Sequence, residues 1–157
     1  MKLDRTDRRI LDALQKDSSI SNQELAEQVG LSPSPCSRRV KQLQDEGYIS
    51  CYVARLNQSQ LGLKLTAFIQ IALDRHTPDR FTEFDRIVSN CPEVVECYLV
   101  TGQSADYTGK VTVPALESYQ EFLLNTITQI PGVTGVHSSF VMRKVVDNTE
   151  VSLKHLG

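Results

Sequence analysis

No stretch of this chain is apolar for long enough to cross a membrane. The most apolar segment, Leu65–Leu73, is interrupted by Thr66 and Gln70 and falls far short of the roughly 20 residues a spanning helix needs. A secretory signal is missing too: Met1-Lys2-Leu3-Asp4-Arg5 is charged and has no apolar core, so a cytoplasmic protein is expected. The four cysteines, Cys36, Cys51, Cys91 and Cys97, form no CxxC, and His76, His137 and His155 are scattered. Reduced thiols used as small apolar residues are expected, with no metal site. There is no excess of positive charge. The net charge is −2 and the pI about 5.9, which excludes a globally basic nucleic-acid binder but not a local basic surface. No Gly-rich phosphate loop and no nucleophile–base pair is visible, so neither an enzyme nor a cofactor is expected.

What is present is a globular composition, 40% hydrophobic and 23% charged, which excludes general disorder. A length of 157 residues allows one ordinary domain or two small ones. The hydrophobic period changes along the chain. Residues 4–49 read as helices and residues 65–147 as mixed strand and helix, which marks a boundary. The expected division is a helical domain over 1–50, a linker strand and hinge over 51–63 with Asn57–Gln60 as its polar part, and a mixed domain over 64–157. Residues 1–60 hold nine Lys/Arg against eight Asp/Glu, and the rest hold eight against eleven. The asymmetry is small, but Arg38, Arg39 and Lys41 cluster.

Three helices are predicted in the first part. Asp4 caps the first, which runs to Lys16 with Ile10, Leu11 and Leu14 as its stripe. Ser21 and Glu24 form a capping box for the second, and Gly30 ends it. Ser32 caps the third, Pro33 takes its first position, and it runs to about Glu46. In the second part, strand Leu65–Leu73, a helix from Pro78 and strand Val94–Thr101 are followed by strand Tyr107–Val113, helix Ala115–Ile130 and strand Val133–Val146. Pro92-Glu93-Val94 and Pro131-Gly132-Val133 hold equivalent places. Two such units predict an α+β chain: an N-terminal helix-turn-helix, winged-helix-like, and a C-terminal ferredoxin-like βαββαβ domain. The last strand carries apolar groups on both faces, which points to covered faces and oligomerisation.

Only Gly30 and Leu31 join the second and third helices, with Ala26 at the close crossing. This is helix-turn-helix grammar, and its partner is double-stranded DNA. With Cys36, Val40 and Leu43 buried, the third helix presents Ser34, Ser37, Arg38 and Lys41, with Arg39 at the side. Ser32 and Pro35 complete its first turn. Arginine can read guanine with two parallel hydrogen bonds, and serine can donate to phosphate or a base edge. The amides around Ser34 lie at the positive end of the helix dipole, where a phosphate is favoured.

The segments Leu3–Leu11, Leu31–Val40 and Leu43–Ile49 resemble the Lrp/AsnC, or feast/famine, transcription regulators. So do Gly62–Phe68, Pro92-Glu93-Val94, Val100-Thr101-Gly102 with Asp106-Tyr107, and Ser138–Val141. The resemblance runs through nearly the whole chain in order. It implies a DNA-binding domain, a ferredoxin-like effector and assembly domain, dimers assembling into octamers, and an amino-acid effector bound between dimers. On that pattern Asp106 would be the counter-charge for an effector ammonium. The amides of Gly102, Gln103, Ser104 and Ala105, with the hydroxyls of Ser138 or Ser139, would serve its carboxylate. As a plain turn residue, Asp106 would instead cap its own loop. Family members usually place two residues between Gly and Asp; here there are three. Thr108-Gly109 replaces an apolar pair, and Gly109 is expected to weaken its strand.

Two other readings share this architecture. A nucleoid-type scaffold would bind DNA with little sequence preference, which the negative net charge disfavours. Some haem-biosynthesis decarboxylases resemble the family and bind a tetrapyrrole; His137 and Arg143, on one face of the last strand, are the candidates here.

Overall fold

In the computed structural model, which describes residues 2–102 and 104–156, Asp4 opens the first helix with its own side chain. Its carboxylate accepts the Asp7 amide at 2.8 Å, and the Asp7 carboxylate accepts the Asp4 amide at 3.0 Å. This reciprocal cap satisfies two amides that helix geometry leaves without partners. Helix α1 (Arg5–Lys16) follows. Helix α2 (Asn22–Val29) opens on the Ser21–Glu24 box, with bonds of 2.7 and 3.1 Å. It closes at Gly30, whose φ of +76° disfavours any residue with a β-carbon. The Leu31 amide then turns back to the Ala26 carbonyl at 2.9 Å. Helix α3 (Pro33–Asp45) starts at the expected proline, but the Ser32 side chain makes no capping bond. Ile10, Leu25, Ala26, Val29, Cys36 and Leu43 form one buried cluster among the three helices.

The chain divides into two compact units. The first runs to Arg55 and takes in the segment from Val146 onward; the second spans Leu56–Val145. The tail therefore leaves the mixed domain expected over 64–157. Its backbone groups find partners on α1 instead. Gln15 donates to the Val151 carbonyl at 3.0 Å and accepts the Val151 amide at 2.9 Å. Arg8 donates to the Leu156 carbonyl at 2.7 Å, and Arg55 pairs with Asp147. Among the described residues the linker strand expected over 51–63 does not form. Residues 57–63 close into turns, with Leu61 N–H on the Asn57 carbonyl at 3.2 Å and Leu63 N–H on the Gln58 carbonyl at 2.9 Å. A strand requires a ladder partner, and this segment has none among the described residues.

The second unit has the order β1 (Leu65–Leu73), α4 (Pro78–Val88), β2 (Val94–Leu99), β3 (Tyr107–Val113), α5 (Leu116–Asn125) and β4 (Val133–Phe140). The sheet order is β2-β3-β1-β4 with every pair antiparallel. This is the ferredoxin-like arrangement. Strand alternation separates the two faces. Ala67, Ile69, Ile71 and Leu73 of β1 are buried with Phe84 and Val88 of α4 and Tyr119 and Phe122 of α5. Phe68, on the other face, is 45% exposed.

Gly109 sits opposite Ile69 in the ladder, and a β-carbon there would lie 3.1 Å from Ile69 Cγ2. The glycine expected to weaken β3 is what lets the Ile69 side chain fill that space. β4 stops at Phe140 rather than Val146. Its neighbour β1 begins at Leu65, and the last bond runs from Val141 N–H to the Thr66 carbonyl at 2.9 Å. α5 ends at Asn125, before a 3₁₀ turn over Ile127–Gln129. The β-branched residues Thr126, Ile127, Thr128 and Ile130 explain the early stop. Among the described residues no helix is long and apolar enough to cross a membrane.

Candidate functional site

The N-terminal unit positions α3 through charged contacts as well as apolar ones. Arg9 of α1 donates to the carbonyls of Gln28 at 2.7 Å and Val29 at 3.1 Å. A cation on the last carbonyls of α2 complements that helix end. Asn22 donates to the Pro33 carbonyl at 2.8 Å, tying α2 to the start of α3. Arg39 Nη1 reaches Asp4 Oδ2 and Asp7 Oδ1, each at 2.7 Å. The Asp4 carboxyl is held below its usual value, first by the Asp7 amide and then by Arg39. The two aspartates hold the Arg39 guanidinium above its own.

This geometry sorts the residues expected to meet DNA. Ser32, Ser34, Ser37, Arg38 and Lys41 are exposed, while Pro35 and Arg39 are half-buried. Arg38 has no ion-pair or hydrogen-bond partner among the described residues. Arg39 differs, because its guanidinium is committed to α1 and acts as a clamp. The expected phosphate seat around Ser34 also narrows. Pro33 and Pro35 carry no N–H, and the Cys36 amide is bonded to the Ser32 carbonyl at 3.2 Å. Ser34 supplies the one amide between the two prolines. The sequence reading missed Asp7 and Arg9. The Asp4-x-x-Asp7 spacing is itself a capping-box signal and could have revealed Asp7.

In the second unit, Asp106 lies where β3 begins beside the end of β1. Its amide donates to the Ile71 carbonyl at 2.9 Å, and its carbonyl accepts the Val100 amide at 2.8 Å. Oδ2 accepts the Leu73 amide at 2.7 Å, and Oδ1 lies 2.7 Å from His76 Nε2. Both carboxylate oxygens are therefore engaged within the chain. Ala105 is buried, Gly102 and Ser104 are exposed, and Gln103 lies outside the described residues. Ser138 and Ser139 point to opposite faces of β4. Ser138 hydrogen-bonds the Tyr119 hydroxyl on the helix side. Ser139 pairs with Phe68 across the ladder, on the open side. One ligand on one face of β4 cannot use both hydroxyls.

Beneath the loop, the Tyr107 hydroxyl donates to Asp85 at 2.7 Å while its ring packs on Phe84 at 4.1 Å. Burial first, then the Asp85 carboxylate, pushes its ionisation well up. Burial likewise raises the thiols of Cys36, Cys91 and Cys97, which makes them unreactive filling. His137 lies on the open sheet face, but Arg143 falls beyond the end of β4. They do not share a strand face, because the strand stops at Phe140.

Residues 3–50 match the family model for winged helix-turn-helix DNA-binding, and residues 66–151 match the Lrp/AsnC ligand binding domain. The leucine-responsive regulatory protein of Escherichia coli K12 is 42% identical over 152 residues, covering 97% of this chain and 92% of that protein. A transcriptional regulator from Neisseria meningitidis, solved as a complex with L-Met, superposes with a TM-score of 0.94 at 38% identity, covering 98% of this chain and 99% of that one. An AsnC family transcriptional regulator from Agrobacterium tumefaciens gives 0.92 at 37% identity, covering 98% and 99%. A DNA-binding helix-turn-helix followed by a ligand-binding ferredoxin-like domain, in that order and over nearly the full length, places this chain in the Lrp/AsnC family of transcription regulators.

Proposed function

We propose that this regulator works in the cytoplasm as a homo-oligomer, a dimer that assembles into an octamer, and reads specific operator half-sites with α3. The observation that carries the reading is Arg38, exposed on the α3 face opposite Cys36 and Leu43, with no partner of its own among the described residues. Ser34, Ser37 and Lys41 flank it and hold phosphates or base edges; Ser32 and Pro35 shape the helix entry. Arg39 holds the helix in place rather than reading DNA. A symmetric dimer sets two recognition helices about 34 Å apart, one turn of DNA.

The effector is an amino acid whose ammonium group meets Asp106. The exposed rim at Gly102 and Ser104, and the hydroxyl of Ser138 or Ser139, serve its carboxylate. The L-Met complex of the Neisseria meningitidis regulator supports this class of ligand. Binding shifts assembly or the DNA-binding units only through different affinity for the two states. No catalytic step is assigned to the chain.

The test is retention of sheared source DNA under excess competitor, with sequencing of what is bound. A few enriched sites with related half-sites support the reading; broad retention supports the scaffold instead. Arg38→Ala should cut affinity for an enriched site about tenfold. Affinity should also fall steeply with salt, because bound phosphates release counterions. Unchanged binding by Arg38→Ala removes Arg38 from the interface.

A further inference from the structure

The carboxylate expected to meet an effector is already occupied by a side chain that can leave. We infer that His76 is a specificity-determining gate on Asp106, holding the place of the effector's ammonium until an amine displaces it. The inference rests on the reading of Asp106 as the effector's counter-charge.

The two oxygens of Asp106 have different kinds of partner. Oδ2 takes the Leu73 amide at 2.7 Å, a backbone group at the end of β1 that cannot withdraw without unravelling the strand. Oδ1 takes His76 Nε2 at 2.7 Å. The carboxylate has no proton to give, so any donor in this close approach is the imidazole. His76 lies in the connection between β1 and α4, and its side chain is 68% exposed against 18% for Asp106. A mostly exposed imidazole thus stands on a mostly covered carboxylate. Its ring stacks on Phe81 with centroids 6.2 Å apart and planes 8° from parallel. Phe81 gives it a defined resting place, and no backbone ladder holds it there.

The neighbouring acid does not offer an alternative. Asp74 is held on both oxygens by Arg80, at 2.9 and 3.1 Å. Asp106 is therefore the carboxylate here with an exchangeable side-chain partner. A ligand that replaces His76 must bring its own N–H donor, and a positive charge strengthens that bond. A primary ammonium meets both demands. A carboxylic acid or amide of the same shape without the amine does not, so the gate selects α-amino acids over their deaminated analogues.

The experiment is calorimetric titration of the full-length protein with L-methionine and L-leucine as probes, repeated with their deaminated analogues. Wild type is compared with His76→Ala, His76→Gln and Asp106→Asn. Removing this competing partner should tighten amino-acid binding by His76→Ala about five- to tenfold. His76→Gln, which keeps a donor, should fall between it and wild type. Asp106→Asn retains an acceptor for the Leu73 amide and should lose binding. If wild type binds and Asp106→Asn does not, but His76→Ala equals wild type, the gate is overturned while the effector reading stands. Weaker binding by His76→Ala overturns it too, by making His76 a ligand contact. If neither probe binds wild type or His76→Ala, the amino-acid effector reading fails and the gate fails with it.

Discussion

Arg39 Nη1 meets Asp7 Oδ1 at 2.7 Å, joining the recognition helix to the first turn of α1 across 32 residues of chain. Asp7 is only 4% exposed. A carboxylate this covered needs a partner, and Arg39 supplies it. The same guanidinium holds Asp4, so the cap of α1 and the seating of α3 are one charged network. Two adjacent arginines, Arg38 and Arg39, thus stand in different settings, and separate tasks are proposed for them. Their separation can be measured.

Arg39→Ala should destabilise the protein by about 1–3 kcal/mol, because it leaves Asp7 buried without its cation. Arg38→Ala should stay within about 0.5 kcal/mol of wild type, as surface substitutions do. Thermal denaturation followed by circular dichroism reads both. Operator binding should show the reverse order of direct effects, once both variants are assayed well below their melting temperatures.

The network also sets an acid limit. Asp4 is held below its ordinary value of 3.8 by the Asp7 amide and by Arg39. A depressed carboxyl stabilises the fold above its unfolded value, and that contribution disappears as pH falls through the folded one. Denaturant titrations should therefore show this contribution intact above pH 3.8 and lost below it. In Arg39→Ala the loss attributable to Asp4 should be smaller. An identical acid profile in the two proteins would remove Arg39 from the linkage.

Local caps set the stability of the turn between α2 and α3. Ser21→Ala removes the acceptor for the Glu24 amide and should cost about 1 kcal/mol. Gly30→Ala meets nothing within 4 Å, so its cost is conformational alone, from a φ of +76°. That too should be about 1 kcal/mol. Urea denaturation midpoints check both, with an unchanged slope showing that only stability moved.

Gly109→Val tests the close approach in the sheet. Its β-carbon would press on Ile69 Cγ2 at 3.1 Å and on the Glu96 carbonyl at 3.4 Å. Overpacking of this kind costs about 1–3 kcal/mol. Ile69→Val alone should be mildly destabilising, yet it should recover part of the loss in the double variant. Additive losses in the double-mutant cycle would show that the two side chains do not compete for space.

Asp106 shows how the sequence and the tertiary structure divide the information. Its place before Tyr107, after Gly102, was legible as a family motif. Its two partners were not. Leu73 lies 33 residues away, and its amide reaches Asp106 only because β1 and β3 pair. Ser138 and Ser139 were read together because they are adjacent. Strand alternation sends one to Tyr119 and the other to the open face.

Local signals in the chain suffice for the starts and stops of α1, α2 and α3 and for the extent of β1 and β3. Asp4, Ser21, Gly30 and Pro33 act within about four residues of themselves, and alternation of apolar side chains is likewise a local property. The family too is legible in the chain, through motifs spread along it in order. Tertiary packing set the rest: Arg39 pairs with Asp4 and Asp7, the segment from Val146 joins the first unit, and β4 ends at Phe140. Ion pairs and ladder partners depend on which surfaces packing brings together, and hydrogen bonds of 2.7 Å between residues 32 or 33 positions apart leave no local trace in the chain.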